Sequence, residues 1–299
     1  MALLTMWLIV TIGFVCVYKL PGDPARMILG RQASEEALRE FRLQAGLDRP
    51  LWRQYPRFVD RTIHLNLGDS LVYRRPVVEL IRERSAATVK LVFFSLLEVI
   101  TIAFIIPLLL RLTGSEIARN WLQRCSVALG IVPPYVLGVV ILAILAGSLG
   151  WVSAIFEPAR IRAWILPSLV LAAYPIAITM RLFENHMQCE LRKLYVVRAK
   201  VMGFSHRVIV LREVLPNALT TALAAVANGL ASFVTGTFFV EVIFGISGLG
   251  RLTYDAIGNK DIGLLAGLCI VFAVAITAIS TTLDLAQLMI DPRLRGRHA

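Results

Sequence analysis

Apolar residues are gathered in six long stretches of the chain, and the stretches between them carry almost all of its charge. Within each stretch the apolar residues lack the strict alternation of a half-buried strand, which indicates a helix that is apolar on every side. About 20 such residues cross the hydrocarbon core of a bilayer. We therefore predict an all-α integral membrane protein with six transmembrane helices, at Met1–Tyr18, Leu91–Leu110, Cys125–Trp151, Ala163–Met180, Val214–Val240 and Ile262–Leu283.

The composition of the 299 residues agrees with this prediction and limits the kinds of partner that the protein is expected to have. With 57% hydrophobic and 17% charged residues and a mean hydropathy of +0.71, the chain has too little polar surface to cover a water-soluble globule. Its net charge of +11 is spread over several loops instead of forming one basic domain, so we predict the lipid bilayer, and no nucleic acid, as a partner. The four cysteines lack metal-ligand spacing, and we predict no metal site.

The basic residues also predict how the chain is threaded, because Lys and Arg in short loops remain in the cytoplasm. The loop between the fourth and fifth stretches is rich in Lys and Arg and is therefore predicted to be cytoplasmic. An even number of spans then places both termini in the cytoplasm as well. The segment 21–85 falls on the outer side, which its arginines allow because long loops are translocated whatever their charge.

These boundaries divide the chain into three predicted parts. Residues 1–20 form transmembrane helix 1, and residues 21–85 form a small extracytoplasmic cap. Residues 86–299 form a core that contains helices 2–6, a loop at about 185–215 and a cytoplasmic tail at 288–299.

Local patterns predict two helices in the cap. Ser34 is a predicted N-cap, and Gly46 can end the first helix. Apolar contacts are predicted for Leu38, Phe41 and Leu43. A second short helix is predicted around Leu51–Ile63.

The loop at about 185–215 has the pattern of two short helices joined by a tight turn. Gly203 can adopt the left-handed conformation that closes the first helix, and Ser205 can cap the second. Pro216 stands where the next span begins. We predict a helical elbow that projects from the membrane. The pattern alone does not distinguish a functional elbow from a simple connection between two spans.

Motifs of catalytic sites are missing from the sequence. It contains no G-x-x-x-x-G-K-[ST], no H-E-x-x-H and no G-x-S-x-G, and no paired Cys and His cluster. We therefore predict no catalytic residues and no directly bound cofactor. The histidines are scattered along the chain and are predicted to be solvated or capping residues.

The elbow resembles the "EAA" coupling loop of ABC-transporter permeases. In that loop a small residue is followed by a glycine and, further along the chain, by Leu-Pro, and this sequence has Ala199, Gly203, Leu215 and Pro216 at the matching positions. Val197 stands where the general motif has its leading Glu. The departure is common in one branch of these permeases, the dipeptide, oligopeptide and nickel importers.

Further segments, in the same order as in that branch, resemble its B-type subunit. They are Leu20-Pro21-Gly22-Asp23-Pro24, Gly46-Leu47-Asp48-Arg49-Pro50, Leu67-Gly68-Asp69-Ser70, Ala87-Thr88, Gly248-Leu249-Gly250-Arg251 and Asp291-Pro292-Arg293. Two departures stand beside them: the basic helix that usually precedes the first span is missing, and Ser247 replaces a typical Pro.

The resemblance implies the type I ABC importer permease fold, in a bacterial inner membrane. It implies a second homologous permease subunit, two ATPase subunits that use the ATP, and an extracytoplasmic substrate-binding protein. The imported solute would be a dipeptide or oligopeptide, or nickel or a metal chelate. The chain itself would not be an enzyme.

The resemblance also assigns residues. Contact with the ATPase and transmission of its movement fall to the elbow, at Arg198, Ala199, Lys200, Gly203, Arg207, Arg212, Leu215 and Pro216. The translocation path should run between the two permease subunits. Residues that can interrupt a helix or carry charge there are its candidates, namely Glu98, Pro133, Pro134, Asn228 and Gly229.

Glu98 is the one acid near the middle of a predicted span, where burial of its charge costs about 2.5–3.5 kcal/mol. It can face a cationic group of the solute, bond to a neighbouring helix, or be protonated. The same residue bears on the alternative function, a secondary transporter driven by an ion gradient. Such a transporter needs coupling acids within its spans, and this sequence supplies few.

Overall fold

A computed structural model describes residues 7–8, 11–12, 14–15, 24–29, 33–45, 50, 53, 55–56, 59–60, 64, 67–151, 153 and 155–290, with the backbone alone at 24, 27–28, 44–45, 220–225, 227–232 and 283–290. The predicted first span, Gly46, the second cap helix and most of the tail lie wholly or largely outside these residues.

Helices make up most of the described chain, and its β-type pairing is confined to an isolated bridge between Asp69 and Pro76. The α-helices are α1 (Pro24–Leu29), α2 (Glu35–Ala45), α3 (Val77–Ile100), α4 (Ile106–Thr113), α5 (Glu116–Ile131), α6 (Pro134–Leu142), α7 (Arg162–Glu190), α8 (Leu194–Val201), α9 (His206–Ile209), α10 (Leu215–Phe244), α11 (Leu249–Gly258) and α12 (Ile262–Ile290). Three π-helical segments, Thr101–Ile105, Ala143–Ser148 and Val210–Val214, directly continue α3, α6 and α9.

Three helical stretches of the described chain are long and apolar enough to cross a membrane: Val77–Thr113, Arg162–Glu190 and Ile262–Thr282. Two pairs of helices meet the same condition when each is taken as one broken span, Glu116–Ile131 with Pro134–Ser148 and Phe233–Phe244 with Leu249–Gly258. The fold is therefore a helical membrane fold with three to five candidate spans among the described residues. The first of them begins at Val77, inside the segment 21–85 that the sequence assigned to the cap.

The third apolar stretch, predicted as a span at Cys125–Trp151, is broken at the Pro133–Pro134 pair, two residues that the sequence marked as able to interrupt a helix. α5 and α6 meet at an angle of 100°. Between them Val132 (φ −80°, ψ 123°) and Pro133 (φ −58°, ψ 137°) have extended backbones. Each of the two precedes a proline, whose ring disfavours the helical conformation of the residue before it. The Pro133–Pro134 pair thus sets the position of the break.

Two other prolines are accommodated without a break. Pro107 and Pro216 each follow a π-helical segment, and the helix runs on through them. A proline has no N–H group, and its ring crowds the carbonyl four residues earlier. The wider π-helical turn before each proline gives that carbonyl room, so the helices α4 and α10 continue.

The chain divides into two compact units, residues 1–88 with 247–278 and residues 89–246 with 279–299. In the first unit, the first turns of α3 pack against α11 and α12 through an apolar core that includes Val77, Leu80, Leu252, Leu264 and Leu268. The first N–H of α11, at Leu249, donates to Oγ1 of Thr88 at 2.8 Å. Because the N-cap residue Gly248 has no side chain, α3 supplies the acceptor that this helix end needs.

The first cap helix starts as its sequence predicts, whereas one of its apolar contacts does not form. α2 follows Ser34 directly, and the Ser34 Oγ accepts a hydrogen bond from the N–H of Ala37 at 3.2 Å. Leu38 is buried, as predicted. Leu43 is largely exposed, so the prediction that it packs inward was wrong. A residue five positions after Leu38 lies on another face of the helix.

In the second unit the most deeply buried element is α7. Pro167 and Pro175 lie inside it without ending it. Helix α10 packs closely alongside: a Cβ built on Gly236 would lie 2.6 Å from Cδ1 of Leu171. Glycine at this position therefore permits the close approach of the two helices.

Candidate functional site

The predicted elbow exists as two helical arms, but its second arm is not separate from the span that follows. We define the elbow as residues 191–214. After α7 ends at Glu190, α8 forms the first arm, and α9 continues through the π-helical segment into α10. Ser205 occupies the N-cap position of α9, although its side chain makes no capping hydrogen bond. A movement of the second arm is thus transmitted directly into α10.

The turn between the arms is closed by backbone hydrogen bonds around Gly203. The N–H of Phe204 donates to the carbonyl of Ala199 at 3.2 Å, and the N–H of Gly203 donates to that of Lys200 at 3.0 Å. This pair of bonds is a Schellman motif, which requires a left-handed residue at its C′ position. Gly203 has φ +82°, which confirms the left-handed turn predicted for it.

Apolar side chains at this turn are exposed, although they lie in a polar loop of the sequence. Val201 is 84% exposed, and Met202 and Phe204 are exposed beside it. Further exposed apolar side chains follow on both arms, at Leu194, Val197, Val208 and Leu211. An apolar patch of this kind marks an interaction surface. Sequence reasoning missed it because it looked for small and basic residues.

The residues that the sequence assigned to the elbow divide into two groups. Ala199 is only 7% exposed, so its side chain packs within this chain. The basic side chains are all exposed, at Arg198, Lys200, Arg207 and Arg212. Leu215 and Pro216 form the start of α10.

A polar contact joins the two arms near their base. The hydroxyl of Tyr195 donates to Oε2 of Glu190 at 2.6 Å and lies 3.3 Å from the carbonyl of Glu213, to which Asn217 Nδ2 also donates at 2.8 Å. Burial, and the hydrogen bond to Glu190, raise the pKa of Tyr195 to about 12. Its hydroxyl therefore stays protonated, and a donor, at physiological pH.

A second contact ties the elbow to buried charge. Glu184 of α7 forms an ion pair with Arg111 of α4, and their side chains are only 4% and 5% exposed. The Nε of Arg119 lies 3.6 Å from the same carboxylate oxygen. We call Arg111, Arg119 and Glu184 the buried charge cluster. His206 of the elbow places its Nε2 3.1 Å from the carbonyl oxygen of Arg111.

The buried charge cluster was also missed. Sequence reasoning assigned no site role to Arg111, Arg119 or Glu184. Two of their positions contain a usable pattern, because Arg111 and Glu184 each lie just beyond the end of an apolar stretch and carry opposite charges. Charges at such edges can pair when the helices are neighbours.

The candidate path residues lie in α3, at the start of α6 and in α10. Pro133 and Pro134 mark the break between α5 and α6. Glu98 instead bonds to a neighbouring helix: Ser168 of α7 donates to its Oε1 at 2.8 Å, and Oε2 is buried without a partner in the described chain. Asn228 and Gly229 lie in α10, of which only the backbone is described there.

Metal ligands do not converge anywhere in the described part of the chain, where no three His, Cys, Asp or Glu side chains are close enough to hold an ion.

Comparison with known proteins identifies the family. Residues 93–296 match the family described as "Binding-protein-dependent transport system inner membrane component", and residues 1–92 match "Binding-prot-dependent transport system membrane comp, N-term". The chain belongs to this family of transport-system permeases. It is the permease of a binding-protein-dependent ABC importer.

Named relatives agree with this assignment over nearly the whole length of the permease. The glutathione transport system permease protein GsiC of Escherichia coli O6:H1 (strain CFT073) is 28% identical over 295 residues, which cover 97% of this chain and 95% of the relative. The GsiC proteins of Salmonella paratyphi A and E. coli K12 are 28% and 27% identical, with the same coverage.

The family assignment settles the broad class of the protein. It is a membrane component of a transport system that depends on a binding protein, and not an enzyme. It belongs to the inner membrane. An ABC importer is driven by ATP and not by an ion gradient, so the alternative function is not supported.

Proposed function

We propose that this permease forms half of a solute path and couples it to cytoplasmic ATPases through the turn of its elbow, residues 201–204. The main support for this proposal is the exposed apolar patch at the turn. The second arm, which follows the turn, continues without interruption into α10. A partner that grips the turn therefore acts directly on a helix of the bundle. The hydrogen bond from Tyr195 to Glu190 holds the elbow against α7, and the contact of His206 with the carbonyl of Arg111 holds it against α4. The movement of the elbow therefore reaches these helices as well.

Within this proposal, the elbow residues have different tasks. Val201, Met202 and Phe204 supply the apolar contact, and Gly203 lets the turn approach the ATPase closely. Arg198, Lys200, Arg207 and Arg212 make ionic contacts at the rim, worth about 0–1 kcal/mol each because they are exposed. Ala199 packs the first arm inward, and Leu215 and Pro216 fix the direction in which the second arm enters α10.

The complete transporter that we propose contains a second homologous permease, two ATPase subunits and an extracytoplasmic substrate-binding protein. The chain would cross the inner membrane six times, with residues 1–20 as the first span, both termini in the cytoplasm and a cap formed from residues 21–85. The core would then comprise residues 86–299. No cofactor would be bound by this subunit, and ATP would be used by its partners.

We propose a small peptide as the solute, because the relatives named above are glutathione permeases. Nickel or a metal chelate, which the wider resemblance also implies, is the second candidate. Uptake into vesicles that contain the whole transporter, measured with glutathione, di- and tripeptides and Ni²⁺ chelates, separates the two. Accumulation of the chelates alone would refute the peptide assignment.

The substitution Gly203→Asp tests the coupling surface. A Cβ on Gly203 meets no atom within 4 Å, so the new carboxylate projects from the apolar patch without disturbing internal packing. We expect the amount of ATPase that copurifies with the permease to fall at least tenfold.

Gly114→Asp is the matched control. Gly114 is also left-handed (φ +75°) with open space around its Cβ, and it lies in another loop predicted to be cytoplasmic. The variant Gly114→Asp therefore has the same kind of backbone strain as Gly203→Asp, but its substitution lies outside the elbow. The proposed contact would be refuted if both variants lost the copurifying ATPase equally. It would also be refuted if neither variant lost it.

A further inference from the structure

An aromatic pocket of about 280 Å³ opens between α6, α7 and α10, next to the break at Pro134. Tyr135, Tyr174 and Phe239 form its aromatic wall, and the ring centroids of Tyr135 and Phe239 are 5.4 Å apart. Gly236, where α7 and α10 approach each other closely, also lines the pocket. The three aromatic side chains are exposed at its mouth.

Two hydroxyl groups of this pocket lack partners. Neither Tyr135 nor Tyr174 makes a hydrogen bond through its hydroxyl within the described chain, and Tyr174 is 37% exposed. Tyr174 lies about 18 Å from the start of α7, a helix of 29 residues that extends about 43 Å at about 1.5 Å per residue. It is therefore close to the middle of the span, far from the headgroup region where tyrosines usually lie.

An unpaired hydroxyl in hydrocarbon carries a large energetic cost, so this face of the bundle should meet water, solute or protein and not lipid tails. Of these three possible neighbours, the shape of the pocket favours the solute. The surface is concave and aromatic, whereas the contact face of a membrane helix with another subunit is enriched in small residues that pack flat.

A second pocket of about 270 Å³ extends the same face of α7 towards its first residue. Its α7 residues Ala163 and Pro167 continue, in steps of four positions, to Leu171 and Pro175 of the first pocket, which puts both sets on one side of the helix. This outer pocket has a charged rim and an aromatic wall, formed by Glu157, Arg160, Arg162, Trp151 and Phe156. Arg160 pairs with Glu157, and Arg162 has no ion pair in the described chain.

We infer that the two pockets are successive sections of the solute path, in which Tyr135 and Tyr174 hydrogen-bond to the backbone amides of a short zwitterionic peptide. The inference rests on the proposed function. The ring faces of the inner pocket suit the peptide's ammonium group, as cations are attracted to aromatic faces. The arginines of the outer pocket suit its carboxylate. Both pockets belong to this subunit and would contribute its half of the path.

The substitutions Tyr135→Phe and Tyr174→Phe remove only the hydroxyls and keep the fold. In vesicles with the complete transporter and glutathione as the probe, we expect each to lower the rate of uptake about fivefold at limiting concentration, the equivalent of one hydrogen bond. ATP hydrolysis stimulated by the loaded binding protein should change less than twofold. Tyr254→Phe, at an exposed tyrosine of α11, should change neither.

Thiol labelling tests the same inference without a solute. In a variant without the native cysteines, Tyr174→Cys should react with a charged, membrane-impermeant thiol reagent in the assembled complex. Leu169→Cys is the matched control, since Leu169 is equally exposed (37%) but lies on another face of α7, and it should not react.

The outcomes separate the inference from the proposed function. Wild-type uptake that depends on ATP, together with unchanged Tyr→Phe variants, would overturn the inference alone. An unreactive Tyr174→Cys variant would also overturn the inference. In that case, cross-linking of Cys at position 174 to the second permease would indicate a subunit interface, and the absence of cross-linking would indicate contact with lipid. Failure of the wild-type complex to couple uptake to ATP would overturn the proposed function instead.

Discussion

The hydroxyl of Ser70 donates a hydrogen bond to the carboxylate of Asp261, which lies 191 positions further along the chain. Asp261 is fully buried, and both of its oxygens are used. Oδ2 accepts from Ser70 and from the N–H of Val72 at 3.2 Å, while Oδ1 accepts from the N–H groups of Leu71 at 3.3 Å and Leu264 at 3.1 Å. One carboxylate thus caps α12 and binds the turn that precedes α3.

Asp261→Asn is expected to destabilise the protein by at least about 1–3 kcal/mol. The amide keeps the shape of the carboxylate, but its NH₂ group cannot accept a hydrogen bond. If the NH₂ takes the place of Oδ2, the Ser70 hydroxyl can turn to accept from it, and the N–H of Val72 loses its acceptor; if it takes the place of Oδ1, the N–H groups of Leu71 and Leu264 lose theirs. The measurement is the thermal midpoint of the complex in detergent. Asp255→Asn is the control, because its pair with Arg251 is partly exposed and contributes about 0–1 kcal/mol. Equal midpoints for both variants would contradict the role of Asp261.

A second prediction concerns two glycines of α12, where close packing makes stability sensitive to substitution. A Cβ on Gly263 would lie 2.7 Å from the backbone oxygen of Asp69, and one on Gly267 would lie 2.5 Å from Cγ1 of Val77. We expect Gly263→Ala and Gly267→Ala each to cost about 1–3 kcal/mol through overpacking. Val77→Ala should partly rescue Gly267→Ala and should not rescue Gly263→Ala, since the obstacle there is backbone. Thermal midpoints of the single and double variants measure this coupling.

Gly258→Ala provides the reference for these two substitutions. Gly258 is the last residue of α11, and a Cβ there would meet no atom within 4 Å. The change in stability should stay within about 0.5 kcal/mol. A loss comparable to that of Gly267→Ala would mean that crowding is not the cause.

Features that depend on neighbouring residues alone were predictable from the sequence. The helix after Ser34, the left-handed turn at Gly203 and the interruption at Pro133–Pro134 each follow from the conformations that one or two residues permit. The length of the apolar stretches located the spans that the structure describes, because the thickness of a bilayer fixes that length.

Features that depend on which helices become neighbours were not predictable. Ser70 and Asp261 are remote in sequence, and no local pattern pairs them. Ala199 and Val201 are both small apolar residues of one short helix, yet the first is buried and the second exposed. Only the position of α8 against the rest of its unit decides between them.

The buried charge cluster gives a third prediction. Glu184→Ala removes the carboxylate that pairs with Arg111 and leaves a guanidinium buried, which costs about 3–5 kcal/mol. We expect a lower yield of assembled complex and a lower thermal midpoint. Glu116→Ala is the control, since Glu116 also approaches Arg119 but is 80% exposed. The double variant Arg111→Leu with Glu184→Leu should be more stable than Glu184→Ala, because it leaves no unpaired member of this pair. No recovery in the double variant would contradict this explanation.

A fourth prediction concerns the polar contact between α3 and α7. Ser168 donates to Glu98 at 2.8 Å, and the hydroxyl of Ser95 donates to the carbonyl of Ser168 at 3.0 Å. Ser168→Ala leaves Glu98 without its bond in an apolar span, and we expect a loss of about 1–3 kcal/mol in stability together with reduced uptake.

Glu98→Gln distinguishes a helix contact from a solute contact at the same site. Glutamine keeps an oxygen that can accept from Ser168, and it removes the cost of a buried charge. If Glu98 serves helix pairing, as its bond to Ser168 indicates, the variant should assemble normally and retain uptake close to that of the wild type. Uptake and thermal midpoint are measured together, so that stability and transport are separated. Normal stability with strongly reduced uptake would show that the carboxylate acts on the solute and would support the predicted place of Glu98 in the path.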